Sequence, residues 1–299
     1  MQASEIKRAL GCAVVAAQAA GNLMRENLRA AKRINSATQH DIKLELDVRC
    51  QRLIEQRLRA GFPAFSVLGE EGELAERNAP GRWVVDPIDG TVNFSYGVPH
   101  ACVSIALQRS VQSPKSEVQS PKSKVQSPKF EVQGRASPAD AAYQTVVGVV
   151  YDPFTEELWT ALRGQRARLN GRPIHVSQRT KLRAAIVAVG FAKTRATLEQ
   201  MLPVFNGLVH RVRKIRIMGA AALSLTYVAT GRFDAYLEYG LRLWDIAAGG
   251  LILECAGGEF GHRPLPGEHT YEILASNGRL RAELDKAPAS RARDRTARR

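Results

Sequence analysis

Asp86 and Asp89 stand either side of Pro87-Ile88, directly after the apolar run Trp83-Val84-Val85. Pro87 fixes φ and removes a backbone donor, so the chain is expected to leave its strand in a rigid turn with both carboxylates near a sheet edge. Two carboxylates that close repel unless a cation lies between them. Mg²⁺ suits such a place, because it takes hard oxygen ligands in an octahedron and keeps waters for chemistry. The residues that follow, Gly90-Thr91-Val92-Asn93-Phe94, are able to open a short helix. Glycine lets a ligand approach the backbone, and the free N–H groups of a helix start hold phosphate. Metal and phosphate sites would then abut. Taken alone, Asp-x-x-Asp-Gly-Thr is also compatible with a capped turn.

Two further acidic positions weigh against the plain turn. Gly69-Glu70-Glu71-Gly72 puts carboxylates at another strand end, and Trp244-Asp245 begins a helix that continues through Ala247, Ala248, Gly249 and Gly250. Asp245 is open to being a helix cap and Glu71 to being a solvent-facing charge. Placing all of them at element ends, where loops assemble sites, is what a two-metal centre requires.

The elements that must position these residues follow from hydrophobic periodicity. Residues 3–31 and 47–60 read as helices, and the alternating segment from Asp41 to Asp47 as a short strand or hairpin between them. Strands are expected at Phe65–Gly69, Trp83–Val85, Ala101–Leu107, Val146–Tyr151, Glu157–Ala161, Ala185–Val189 and Ala235–Glu238. Helices are expected near Thr197–Arg211, over Gly219–Thr230 and over Trp244–Ala256, the last ended by Gly257-Gly258. Neither Gly-x-Gly-x-x-Gly nor Gly-Lys-Ser/Thr occurs, which argues against the common nucleotide-binding folds.

The rest of the composition narrows the class. No apolar run reaches the roughly 18 to 20 residues that span a bilayer, and the N-terminal apolar stretch reads as an amphipathic helix rather than a signal peptide. Cys12, Cys50, Cys102 and Cys255 are scattered, with no Cys-x-x-Cys pair, as expected of buried thiols in a reducing cytoplasm. The net charge of +14 raises the question of nucleic acid. More than half of it sits in residues 111–135, with five basic and two acidic residues, and in residues 279–299, with eight and three. No aromatic-interleaved basic patch accompanies it, so nucleic acid is not the expected partner. Within the first of these segments Val-Gln-Ser-Pro-Lys recurs at Val111, Val118 and Val125. A proline in every repeat forbids a continuous helix, and the composition points to a disordered insertion between two strands.

Gly69-Glu70-Glu71, Asp86-Pro87-Ile88-Asp89-Gly90-Thr91 with Asn93-Phe94, and Trp244-Asp245-x-Ala-Ala-Gly resemble the paired signatures of the inositol monophosphatase family. Their order and separation agree, and the similarity runs from the first helix to about Leu280, interrupted by the repeats. The resemblance implies a mixed α/β (α+β) fold, the layered αβαβα sandwich of the inositol monophosphatase and fructose-1,6-bisphosphatase type. Residues 1–180 would form an N-terminal α+β lobe with most metal ligands, containing the insertion at 111–140. Residues 181–282 would form a C-terminal α/β lobe with Asp245, and residues 283–299 a basic disordered tail.

The resemblance further implies a homodimer that needs two or three Mg²⁺ per site and is inhibited by Li⁺. Glu70, Asp86, Asp89, Asp245 and the carbonyl of Ile88 resemble the metal ligands. Thr91, with Asp47 behind it, resembles the pair that orients the attacking water together with Glu70, and Gly90 and Thr91 the phosphate cradle. Gly219, Ala220, Ala221, Glu238, Asp89 and Asp245 match positions that contact the substrate. The chain departs from the family at Lys43-Leu44-Glu45-Leu46, where many members carry Val-Thr-x-Thr, and at Ser36, near a frequent lysine. These departures bear on a third metal; Ala220 in place of a common threonine, and Arg242 nearby, bear on the substrate.

No Asp-x-Asp nucleophile pair, Cys-x₅-Arg loop or Arg-His-Gly motif is present, so covalent phosphatase routes are unsupported. The expected reaction is hydrolysis of inositol monophosphate or a related small phosphorylated polyol or sugar by metal-activated water. Fructose bisphosphate, histidinol phosphate and 3′-phosphoadenosine nucleotides are the alternatives within the family. A regulator on the same fold that binds RNA or protein is the alternative of another class.

Overall fold

The computed structural model describes residues 1–37, 42–74, 79–111, 138–191 and 194–285. Its first layer is a pair of helices, α1 (Ala3–Asn27) and α2 (Glu45–Gly61), joined by a hairpin of β1 (Ile34–Ala37) and β2 (Ile42–Leu44). Ala9, Ala13, Ala16, Ala17, Ala20 and Met24 recur at helical spacing on α1 and are fully buried. So small a face lets the helix approach closely, and a Cβ on Gly21 would lie 2.6 Å from the Tyr151 ring.

That face packs on an eight-stranded sheet. Its strands are β3 (Ser66–Gly69), β4 (Gly72–Leu74), β5 (Gly81–Asp89), β6 (Cys102–Ser110), β7 (Tyr143–Asp152), β8 (Glu157–Leu162), β9 (Arg168–Leu169) and β10 (Arg172–Pro173). The order is β10-β9-β8-β7-β6-β5-β3-β4, antiparallel except where β3 runs alongside β5. Two short helices, α3 (Thr91–Ser95) and α4 (Pro138–Ala141), follow β5 and precede β7. The second sheet takes β11 (Ile186–Val189), β12 (Lys214–Arg216), β13 (Ala235–Arg242), β14 (Glu259–Pro264) and β15 (Thr270–Ser276), ordered β12-β11-β13-β15-β14. Between the sheets lie α6 (Ala221–Ala229) and α7 (Leu243–Cys255), and the outer layer holds α5 (Arg195–Val209) and α8 (Arg281–Leu284). Helix, sheet, helix, sheet, helix is the layered αβαβα sandwich expected above. In α7, Leu243, Ile246, Ala248, Leu251, Ile252 and Leu253 are buried all round, as a helix clamped between two sheets must be.

Three features differ from the sequence expectations. The strand through Trp83 does not stop at Asp86 in a turn but continues to Asp89, and its pairing with β6 is irregular between those residues. Pro87, which has no N–H to give, sits in that irregularity, where a strand interior tolerates proline. The β14–β15 hairpin was not anticipated, because Gly261 and Pro264 interrupt a half-buried pattern. The first helix ends at Asn27 rather than continuing to residue 31. Residues 112–137 of the repeat segment and 286–299 of the basic tail lie outside the described residues. The expected disordered segments 111–140 and 283–299 are too wide, because Pro138–Ala141 and Arg281–Leu284 are helical and bury Asp140 and Leu284. The insertion's flanks meet. Ser110 pairs with Tyr143, and the Val111 N–H donates to the Ala142 carbonyl at 2.7 Å.

Candidate active site

The irregularity in β5 turns Asp86 and Asp89 toward one region while the backbone anchors each. Asp86 Oδ1 accepts from the Ile88 N–H at 3.0 Å. Asp89 accepts from the first turn of α6, Oδ1 from Ala221 N–H at 3.0 Å and Oδ2 from Ala222 N–H at 2.8 Å. The Cys102 thiol donates to the same Oδ2 at 3.5 Å. Gly90 then ends the strand at φ 91°, in the left-handed region where a side chain is strained. A Cβ there would also lie 3.0 Å from the His100 carbonyl oxygen. The five-residue α3 follows, and the Thr91 hydroxyl donates to the Ile88 carbonyl at 2.8 Å. So short a helix offers a phosphate its free N–H groups more than a macrodipole.

Glu70 follows β3, and its N–H donates to the Val85 carbonyl at 3.3 Å; since Gly69 pairs with Val85 in parallel register, Glu70 comes level with Asp86 on the neighbouring strand. Glu71 is not a solvent-facing charge. Its N–H donates to Gln51 Oε1 at 2.9 Å, and its carboxylate pairs with Lys43 Nζ at 3.1 Å. Lys43 and Gln51 thereby tie the β1–β2 hairpin and α2 to the Glu70 turn. Lys43 belongs to the segment whose departure from the family bears on a third metal, whereas nothing in the sequence places Gln51 beside the site. Asp47 is 3% exposed, and its Oδ2 accepts from the Leu44 N–H at 2.7 Å while Oδ1 has no hydrogen-bond partner among the described residues. Thr91 and Asp47 are not hydrogen-bonded to each other, since the threonine hydroxyl is turned to Ile88.

Asp245 enters from the start of α7, and its Oδ2 accepts from the Arg242 N–H at 2.7 Å, a helix cap. Gly219, at φ 73°, packs against Asn93, whose Nδ2 donates to the carbonyls of His100 at 2.9 Å and Met218 at 2.8 Å. Asn93 thus joins α3 to the approach of α6. Ala220 is the N-cap residue of α6, and Ala221 has its N–H committed to Asp89. Glu238, on β13, accepts from the Tyr236 hydroxyl and fills the space a side chain on Gly190 would take.

The electrostatics of these groups are coupled. Burial pushes Asp86 well above the usual carboxylate range, and Glu70, Asp89, Asp245 and Asp47 all push it further. Burial carries Asp89 up to about 6 against the two α6 N–H groups and the Cys102 thiol, and Glu70 adds to the rise. Asp47 is pushed up to about 7 by burial, with Glu70 and Glu71 adding to it. Among the described residues, no three His, Cys, Asp or Glu side chains stand ready-gathered in metal-binding geometry. The donor chemistry nonetheless fits a hard divalent cation: buried carboxylates drive one another toward neutrality, and the Asp47 oxygen is buried without a partner.

A sequence profile described as "Inositol monophosphatase family" matches residues 6–115 and 141–289. The chain belongs to the inositol monophosphatase family. It is 36% identical over 257 residues to the "Nus factor SuhB" of Pseudomonas aeruginosa, covering 83% of each chain. It is 34% identical over 257 residues to "Inositol monophosphatase 1" of Solanum lycopersicum, covering 83% of this chain and 82% of that one. Among solved structures it is similar to the inositol monophosphatase of Anabaena (Nostoc) sp. PCC 7120, at 31% identity and a TM-score of 0.73, covering 93% of this chain and 94% of that one. The "extragenic suppressor protein suhB" of Bartonella henselae superposes with a TM-score of 0.77 at 29% identity, covering 93% and 96%. The inositol monophosphatase match leaves out residues 116–140, where most of the Val-Gln-Ser-Pro-Lys repeats fall.

Proposed function

We propose that this chain is a Mg²⁺-dependent phosphomonoesterase acting on inositol monophosphate or a related small phosphorylated polyol or sugar. The observation that carries the reading is the position of Asp86. Burial and four acidic neighbours, drawn from α2, the β3–β4 turn, β5 itself and α7, all act on one carboxylate.

Glu70, Asp86, Asp89, Asp245 and the Ile88 carbonyl would hold the metal. Bound Mg²⁺ supplies a Lewis acid for the phosphoryl oxygens and lowers the pKa of a bound water. The protein's own contribution is position. The Thr91 hydroxyl, with its hydrogen spent on Ile88, keeps lone pairs that accept a hydrogen bond from the attacking water and orient it, while the water's proton passes to the Glu70 carboxylate. Asp47, buried and partly unpartnered, stands behind Thr91. The N–H groups of Gly90 and Thr91 receive the phosphate oxygens, and the left-handed Gly90 keeps the approach free of a side chain. Water attacks phosphorus in line, the ester P–O bond breaks, and the leaving oxygen takes a proton from solvent. Glu238, Ala220 and the Gly219 turn line the approach of the leaving group.

The test is phosphate release from a panel of monoesters with and without Mg²⁺, beside Asp245→Asn. Metal-dependent release that the variant lacks supports the reading; equal, metal-independent release from both sinks it. A second reading is favoured by the several relatives that bear the name Nus factor SuhB: a regulator on this fold that binds RNA or protein. No turnover of any ester together with tight RNA binding would favour it. The homodimer implied by the family is checked by sedimentation of the full chain.

A further inference from the structure

A cleft of about 560 Å³ is lined by Glu70 together with Arg242, Trp244, His269, Thr270 and Thr197. Arg242 is the one full cation among the described residues lining it. Its guanidinium is already fixed, for Nη1 donates to the Glu268 carbonyl at 2.5 Å and to the Thr270 hydroxyl at 2.7 Å. Nε and Nη2 have no partner among the described residues. The nearby Glu268 carboxylate lies 3.9 Å from His269 Nε2. Thr270 sits between His269 and Tyr271, which both bind the buried Asp140, so the support under Arg242 is itself anchored.

We propose that Arg242 binds a second anionic group, phosphate or carboxylate, on the leaving-group side of the ester. This rests on the phosphatase reading above. The cleft borders the site at Glu70, and the Arg242 N–H holds the Asp245 carboxylate at 2.7 Å, so a substituent that leaves the metal site past these two ligands meets an arginine with two donors to spare. A guanidinium held at one nitrogen presents a preorganised fork, which suits an oxyanion and loses little freedom on binding it. A neutral polyol leaves that fork facing water and gains nothing from it.

The test compares Mg²⁺-dependent phosphate release from glycerol 2-phosphate, 3-phosphoglycerate and fructose 1,6-bisphosphate by the full chain, Arg242→Gln and Arg242→Lys. The ratio of kcat/KM for either anionic ester to that for glycerol 2-phosphate should fall about 10- to 100-fold in Arg242→Gln, as loss of a charge-assisted contact requires. The fall should lie mainly in KM, with partial recovery in Arg242→Lys. An effect on only one anionic ester tells phosphate from carboxylate. An unchanged ratio overturns the proposal. If no ester is hydrolysed, the phosphatase reading fails, and calorimetric titration of 3-phosphoglycerate still decides the role of Arg242. Binding about tenfold weaker in Arg242→Gln supports that role, and equal binding overturns it.

Discussion

Capping and chemistry are not alternatives for the aspartates of this site. Asp47, Asp86, Asp89 and Asp245 each accept at least one backbone N–H, and those bonds fix the direction in which each carboxylate faces. Asparagine caps a helix as well as aspartate does but carries no charge. Asp245→Asn should therefore keep its unfolding free energy within about 0.5 kcal/mol of the parent in urea unfolding. Its Mg²⁺-dependent phosphate release should fall by about two orders of magnitude or more. Asp245→Ala should lose the same activity and, in addition, about 1 kcal/mol in urea unfolding. At Gly90 the left-handed backbone and the His100 oxygen both oppose a side chain. Gly90→Ala should cost about 1 to 2 kcal/mol before the clash is counted, with loss of turnover, read from thermal melts and phosphate release.

Asp245 is only as well placed as the helix that carries it. α7 lies directly on β7, where a Cβ on Gly148 would stand 2.8 Å from the Ala248 backbone oxygen. Backbone cannot move aside as a flexible side chain can, so Gly148→Ala should push the helix off the sheet. An unfolding loss of about 1 to 3 kcal/mol is expected, with a drop in activity although residue 148 is remote from the chemistry. Unchanged activity in a destabilised variant would show that α7 tolerates displacement. The strand β5 was legible as an apolar run but not in its length, because proline usually ends a strand and only pairing with β6, through Asp86 with Ser104 and Asp89 with Cys102, carries it on to Asp89.

Over the whole molecule, a buried polar network joins the two sheets. Arg82 on β5 pairs with Asp140 at 2.5 Å, His269 Nδ1 lies 2.9 Å from both Asp140 oxygens, and the Tyr271 hydroxyl donates to Oδ2 at 2.5 Å. Burial alone would raise Asp140, but these hydrogen bonds and the Arg82 charge hold it down to about 2 against its ordinary 3.8. A carboxylate held below its unfolded value stabilises the fold above about pH 4, and that stability is lost as pH falls toward 2. The loss should amount to about 2 kcal/mol in urea unfolding, and Asp140→Asn should lack this acid-limb slope. The flanks of the insertion meet at Ser110 and Tyr143, so replacing residues 112–137 by a tight turn should leave Mg²⁺-dependent activity within about twofold, provided Asp140 is kept. A larger loss would give the repeats a part in the site.

What the sequence determined by itself was local: which carboxylates end which elements, that Gly90-Thr91 follows the second of them, and the periodicity of the long helices. Each depends on neighbours a few residues apart, where backbone sterics and hydrophobic period are readable. Only the tertiary structure decided what those residues meet. Asp89 is held by N–H groups 132 and 133 residues further on, Lys43 neutralises Glu71 across 28 residues, and Asp140 gathers partners from both sheets. Such contacts depend on how layers stack and on which backbone donors a buried carboxylate finds, and no local pattern in the chain encodes them.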